Sequence, residues 1–163
     1  MEKKHPIRKN IRLPDYDYSD PGYYFITVCT HKRQNLFDPF VGAHLCVRPP
    51  ENCNFIVKWL YELEQKYPGI SIDCCAVMPD HIHFVLIITG AHAGAPLPEM
   101  IKWFKTQTTN ECIRLVKSGL FPGFQGHVWQ RGYFDHIIRN DADLAETRQY
   151  IRNNPLNWIL NKE

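Results

Sequence analysis

Long apolar runs are missing from this 163-residue chain. No stretch reaches the ~20 residues a membrane-crossing helix needs, and the charged start is followed by no hydrophobic signal core, so no membrane partner and a cytoplasmic location are expected. A large excess of one charge is missing too: 19 Lys and Arg against 17 Asp and Glu leave a net charge of +2. That balance neither demands nor excludes nucleic acid, so any surface for it must come from local clustering. The six cysteines include no C-x-x-C pair, which argues against a zinc site, and the chain is long for a cysteine-stapled miniprotein. Cys74 and Cys75 are adjacent, and neighbours on a strand point to opposite faces, which suits neither shared metal ligation nor one disulfide. Buried reduced thiols are expected. Repeats, low-complexity tracts and long linkers are also lacking, so residues 1–163 are expected to form a single domain with a basic arm over residues 1–12.

What is present is ordinary globular material, with 44% hydrophobic and 22% charged residues, enough for a sizeable core. Lys3, Lys4, Arg8, Lys9 and Arg12 cluster in the arm and are candidates to contact phosphates, the alternative being a solvated tail. Residues 23–30, rich in β-branched and aromatic side chains after the turn pair Pro21-Gly22, read as a strand. Residues 31–50, with Pro39, Gly42, Pro49 and Pro50, read as loop or short hairpin. A helix is expected over residues 54–67, stopped by Pro68-Gly69. Strands are expected over residues 70–78 and 81–88, joined as a hairpin at Pro79-Asp80. Leu97, Met100, Ile101, Phe104, Thr108, Cys112 and Leu115 recur at helical spacing and predict a second helix ending at Gly119. A fourth strand is expected over residues 132–139. A last helix, capped by Asn140 or Asp141, should run to about Asn154, where Pro155 stops it. This order is the split β-α-β pattern with an extra helix, an α+β chain with one antiparallel sheet covered by helices.

Three groups of residues carry chemistry. His81 and His83 are two apart on a strand, so they share a face with alpha carbons roughly 7 Å apart, and two imidazoles at that spacing can converge on one metal ion. Ile82, Phe84 and Leu86 point the other way and can bury the opposite face. Tyr150 and Asn154 are four apart on a helix, about 400° of rotation, and so lie within about 40° of each other on a polar shoulder with Asp143 and Glu146. Asn154 precedes Pro155, a position biased away from helical geometry, so Asn153 is a possible substitute. A divalent ion on two imidazoles and an amide can neutralise a phosphate oxygen, and a tyrosine hydroxyl nearby can attack the phosphorus. The third group is polar and basic: Lys102, Lys105, Thr106, Gln107, Thr108 and Thr109, then Trp129-Gln130-Arg131. Donors interleaved with aromatics suit single-stranded DNA, where bases stack and phosphates accept hydrogen bonds.

Residues 24–30 (Tyr-Phe-Ile-Thr-Val-Cys-Thr), 77–83 (Val-Met-Pro-Asp-His-Ile-His), 129–131 with 134–140, and 150–155 (Tyr-Ile-Arg-Asn-Asn-Pro) occur in this order. Together they resemble the single-tyrosine HUH transposases, most closely the REP-associated tyrosine transposase branch, over nearly the whole chain. The resemblance implies a ferredoxin-like (RRM-like) antiparallel sheet with helices on one face and a C-terminal helix carrying the tyrosine. It implies Mg2+ or Mn2+ as cofactor, held by His81, His83 and Asn154, and Tyr150 as the nucleophile forming a 5′-phosphotyrosine. The implied partner is single-stranded DNA with a hairpin, bound by a monomer or a homodimer. His136 lies in a family-like segment and joins Lys105, Gln107 and Arg131 as a candidate DNA contact.

The activity implied is DNA cleavage and strand transfer. Two rivals remain: a domesticated, inactive hairpin-DNA-binding module, and a hydrolase in which Asp80 or Asp135 completes a metal site with the histidines.

Overall fold

The structure, a computed structural model, describes residues 13–45, 54–90 and 94–161, with the side chains of residues 43–45 set aside. The basic arm with Lys3, Lys4, Arg8, Lys9 and Arg12, and also Cys46 and Cys53, lie outside the described residues.

Among the described residues five strands form one antiparallel sheet: β1 Gly22–Cys29, β2 Gly42–Leu45, β3 Ile70–Val77, β4 His81–Ile88 and β5 Phe134–Ile138, in the spatial order β2-β3-β4-β1-β5. Three α-helices accompany them there: α1 Phe55–Lys66, α2 Leu97–Lys117 and α3 Asp141–Leu160. Without β2 this is the expected ferredoxin-like order. The added strand β2 comes from the segment read as loop or short hairpin; four residues beginning at a glycine, near several prolines, carry almost no strand signal of their own.

Period-two alternation decides which face each strand buries. Tyr24, Ile26 and Val28 of β1 and Ile82, Phe84, Leu86 and Ile88 of β4 face α1 and α2 in the main core. Phe25 of β1 and Val85 of β4 face the other way, into a smaller cluster with Leu144 and Ile151 of α3. The helices therefore do not share one face: α3 lies on the side opposite α1 and α2. Strand β3 keeps Ile70 and Ile72 in the main core by shifting phase at Asp73, where a register break lets Cys75 and Val77 follow them inward. That extra residue is a β-bulge. It puts Cys74 under α3 and Cys75 in the main core, on opposite faces as expected. Cys29, Cys74, Cys75 and Cys112 are all buried.

Asn140 caps α3, its side chain accepting from the Asp143 N–H at 2.9 Å. Pro155 does not stop the helix. It sits inside α3, which runs on to Leu160. Leu144, Thr147, Ile151 and Pro155 form one buried stripe, so the packing of this face offsets the loss of a single backbone N–H donor. Trp129 departs from its expected role as a base-stacking surface. It is buried against Phe37 and Phe104 with ring centroids 5.2 and 6.1 Å away, and its indole N–H donates to Thr108 Oγ1 at 2.8 Å. No helix among the described residues is long and apolar enough to cross a membrane.

Candidate active site

The β1–β4 register sets Thr27 directly beside His83, on the face that α3 covers. Antiparallel partners share a face, so the pairing fixes who can touch the histidine. His83 Nδ1 lies 2.8 Å from Thr27 Oγ1, and His81 Nδ1 lies 2.6 Å from Asp80 Oδ1. With both rings held at Nδ1, their Nε2 atoms turn toward each other and stand 3.0 Å apart. A carboxylate only accepts, so Asp80 keeps the proton of His81 on Nδ1 and leaves Nε2 as a bare lone pair.

Burial lowers the proton affinity of both rings. For His81 the Asp80 carboxylate works against burial and the Arg33 guanidinium with it, and the pKa stays below the ordinary histidine value. His83 is deeper, with 4% of its surface exposed. Burial first, then the neighbouring His81 and Arg33, pull its pKa down to about 3. Both are neutral donors at physiological pH, the form that binds metal.

Helix α3 brings Tyr150 to this pair. Its ring centroid is 5.3 Å from that of His83 and 6.0 Å from that of Phe25, and the tyrosine is 52% exposed. Two polar contacts seat the helix. Arg148 grips the bulge residue Asp73 through two bonds of 2.7 and 2.6 Å. Asp143 holds His136 Nε2 at 2.9 Å and accepts from the Arg139 N–H at 3.2 Å, which lowers its own pKa. His136 pairs with Phe25 in the β1–β5 register and so belongs to the same face as His83. One open cavity is lined by His81, His83, Tyr150, His136, Thr27 and Arg33, among others.

The other candidate residues fare differently. Asn154 does not line this cavity, although it is half-buried one turn beyond Tyr150. Asn153 does not line it either. Asp80 lies behind the His81 ring, bonded to Nδ1, and cannot share an ion with Nε2. Asp135 pairs with Ile26 in the β1–β5 register and also lines the cavity, yet it does not gather with the two histidines into a three-ligand group among the described residues. Lys105, expected at phosphates, donates to the carbonyls of Gln130, Arg131 and Gly132 at 2.9, 3.3 and 2.7 Å and braces that loop. Gln107 is on the shoulder of α2 shared with Trp103, which meets Trp59 of α1, away from the outer cleft. Arg131 is exposed in that cleft, with Lys102, Thr106, Asn110, His127 and Gln130.

Whether the histidines suit a divalent ion can be tested on their geometry. Two nitrogens each ~2.1 Å from one ion and ~90° apart are separated by about 3.0 Å, which matches the Nε2 spacing. Hydrogen bonds at the far nitrogens are also the usual support of metal-binding imidazoles. Among the described residues no group of three or more His, Cys, Asp or Glu side chains gathers to hold a metal. The set fits an ion that leaves its remaining positions to water and substrate oxygens.

Sequence reading singled out both histidines and the tyrosine, which the fold gathers in one cavity. It did not single out Thr27, and it placed Asp143 only on the polar shoulder of the tyrosine helix; their contacts appear only once the strand register and the helix cap are known. It also missed Arg33, which nothing in the local sequence separates from an ordinary basic loop residue.

Residues 20–154 match the family described as IS200-like transposase. A Haemophilus influenzae protein provisionally assigned as a REP-associated tyrosine transposase is 32% identical, over 86% of this chain and 73% of its own. An uncharacterized protein of the same organism is 28% identical, over 93% of this chain and 89% of its own. In fold, the chain resembles a REP-associated tyrosine transposase solved with a REP hairpin, with a TM-score of 0.60 at 19% identity, covering 90% of this chain and 73% of that one. It also resembles a Deinococcus radiodurans structure provisionally assigned as a transposase, with a TM-score of 0.53 at 18% identity, covering 87% of this chain and 95% of that one. With a family match over most of its length and a sheet carrying the histidine pair beneath the tyrosine helix, this chain belongs to the IS200-like transposases.

Proposed function

We propose that this protein cleaves and rejoins single-stranded DNA bearing imperfect hairpins, with Tyr150 as the nucleophile and His81 and His83 as the protein ligands of a divalent ion. The observation that carries the reading is the contact of the Tyr150 and His83 rings, 5.3 Å between centroids, in a cavity that also holds His81. Tyr150 is half-exposed and can meet a strand entering from solvent. Its phenolic oxygen attacks phosphorus, the P–O3′ bond breaks, and the phenolic proton is balanced by one gained at the departing 3′ oxygen. The product is a 5′-phosphotyrosine and a free 3′-hydroxyl. Attack by another 3′-hydroxyl reverses the exchange and joins a strand without ATP, because the phosphodiester bond energy is kept. A bound Mg2+ or Mn2+ supplies charge neutralisation at the phosphate oxygens. Asp80 and Thr27 hold the imidazoles in place, and the Arg148–Asp73 pair keeps Tyr150 over them.

The cleft along α2, with Lys102, Thr106, Asn110, His127 and Arg131, receives the sugar-phosphate backbone of the hairpin. Its polar and cationic donors suit phosphate contacts, which position without reading sequence. Tyr150 and His83 meet within one chain, which supports chemistry carried out by a single copy.

A second reading, a binding module without catalysis, draws on the position of Asn154 outside the cavity. Incubation with Mn2+ and a labelled single-stranded hairpin oligonucleotide, followed by a denaturing gel, separates the two. A covalent adduct formed by the unaltered protein and lost in Tyr150→Phe supports transfer. Binding without an adduct favours the module, and cleavage that survives Tyr150→Phe overturns the tyrosine mechanism.

A further inference from the structure

Arg33 lies at the rim of the tyrosine–histidine cavity on a backbone that side-chain-bearing residues seldom adopt. Lys32 and Arg33 have φ of 54° and 55°, two consecutive non-glycine residues in the left-handed region. Such conformations persist only where their surroundings over-determine them, and they gather at functional sites. Here the turn is tied on several sides. The His31 N–H donates to the Val128 carbonyl at 2.8 Å, the Gln34 side chain donates to the His31 carbonyl at 2.9 Å, and the Gln125 N–H donates to the Gln34 side chain at 2.9 Å. The Arg33 side chain returns over the end of β1. Its Nε lies 2.8 Å from Asp80 Oδ2, and its Nη1 donates to Cys29 Sγ at 2.8 Å.

A guanidinium has five N–H donors, and these two contacts use two of them. The side chain stays 51% exposed and lines the cavity together with His81, His83 and Tyr150. A bracing role alone would need only the bond to Asp80. The structure instead presents a half-exposed cation fixed at two points, lining the same cavity as Tyr150.

We propose that Arg33 binds a non-bridging oxygen of the phosphodiester presented to Tyr150. The proposal rests on the reading of Tyr150 as a DNA nucleophile. Arg33 is then a catalytic residue as well as the brace of Asp80: its guanidinium holds the phosphate in reach and meets the charge that grows on it during attack.

The test separates phosphate binding from bracing. With the full chain carrying Tyr150→Phe, in EDTA, the affinity for a labelled single-stranded hairpin oligonucleotide is measured against NaCl concentration. Each phosphate neutralised on a single strand contributes a slope of about 0.7 in log affinity against log salt. Arg33→Gln should lower the slope by about that amount, whereas Asp80→Asn, which removes the brace and keeps the cation, should not. A neutral methylphosphonate at the cleavage position should lower the slope for the Tyr150→Phe protein and have no further effect in the Arg33→Gln double variant. This oligonucleotide arm stands without the Arg33 variant if that variant fails to fold. With Tyr150 intact and Mn2+ present, Arg33→Gln should slow adduct formation by about 100-fold, with partial recovery in Arg33→Lys. An unchanged salt slope in Arg33→Gln, an equal loss in Asp80→Asn, or no effect of the methylphosphonate overturns the proposal. Absence of an adduct with the unaltered protein would count against strand transfer, while the salt slope would still report whether Arg33 meets phosphate.

Discussion

His81 and His83 face each other through Nε2 atoms 3.0 Å apart, each ring gripped from behind at Nδ1. Two bare lone pairs at that distance repel, so the arrangement is relieved either by a cation between them or by a proton on one of them. Divalent ions should therefore raise the melting temperature, by an amount set by mass action, about 2.7 kcal/mol at a concentration 100 times the dissociation constant. Nitrogen donors suit Mn2+ better than Mg2+, which prefers oxygen, so Mn2+ should give the larger shift. His83→Ala should abolish the shift in a thermal scan. Asn154→Ala should leave most of it, because Asn154 does not line the cavity. A shift lost equally in both variants would restore Asn154 as a ligand.

Arg148 and Asp73 fasten the tyrosine helix to the bulge of β3 through two bonds. Arg148 is 41% exposed, so solvent screening keeps the coupling modest, about 1 kcal/mol or less by a double-mutant cycle. The effect on chemistry should be larger. A misplacement of 1 Å can cost roughly 100-fold in rate, and Arg148 is two residues before Tyr150. Arg148→Ala should slow adduct formation far more than it lowers the unfolding midpoint in urea. Equal, small effects on both would reduce the pair to a surface contact.

How much of this was legible in the sequence depends on the range of the interaction involved. Period-two alternation placed His81 and His83 on one face, and helical periodicity placed Tyr150 on a polar shoulder; both are local properties of the chain. The meeting of those faces is tertiary. So is the bulge at Asp73, which interrupts the alternation of β3 and becomes intelligible only beside Arg148. Pro155 misled the reading of α3 because its local penalty is offset by burial with Ile151. Trp129 and Lys105 have the composition of a DNA surface; the fold buries one and ties the other to loop carbonyls, while both also line the cleft along α2.

Acid should act on the fold through His83. Its pKa falls to about 3 in the folded protein, chiefly through burial, against about 6.5 when unfolded. Between those values the unfolded chain binds a proton that the folded chain refuses, so the contribution is fully present above about pH 6.5 and is lost as pH falls toward 3. Urea midpoints should drop from pH 7.5 to pH 5, and the drop should be smaller in His83→Gln, which cannot titrate. The same slope in both proteins would show that other groups dominate the acid response.

Thr27→Val tests the support of the histidine pair without changing the size of the side chain. The Thr27 hydroxyl is 2.8 Å from His83 Nδ1 and can either accept from that nitrogen or donate to it. As acceptor it frees Nε2 of His83 for a metal; as donor it leaves the ring proton on Nε2, pointed at His81. It therefore suits both the metal-bound and the metal-free pair. Valine can do neither. His83 then loses its fixed tautomer and orientation, and removal of such a supporting hydrogen bond typically weakens metal affinity by 10–100-fold. Calorimetric titration with Mn2+ should show that loss in Thr27→Val, with hairpin DNA binding in EDTA close to that of the unaltered protein. Unchanged Mn2+ affinity would show that Asp80 alone orders the site, and a parallel loss of DNA binding would point to a disturbed sheet.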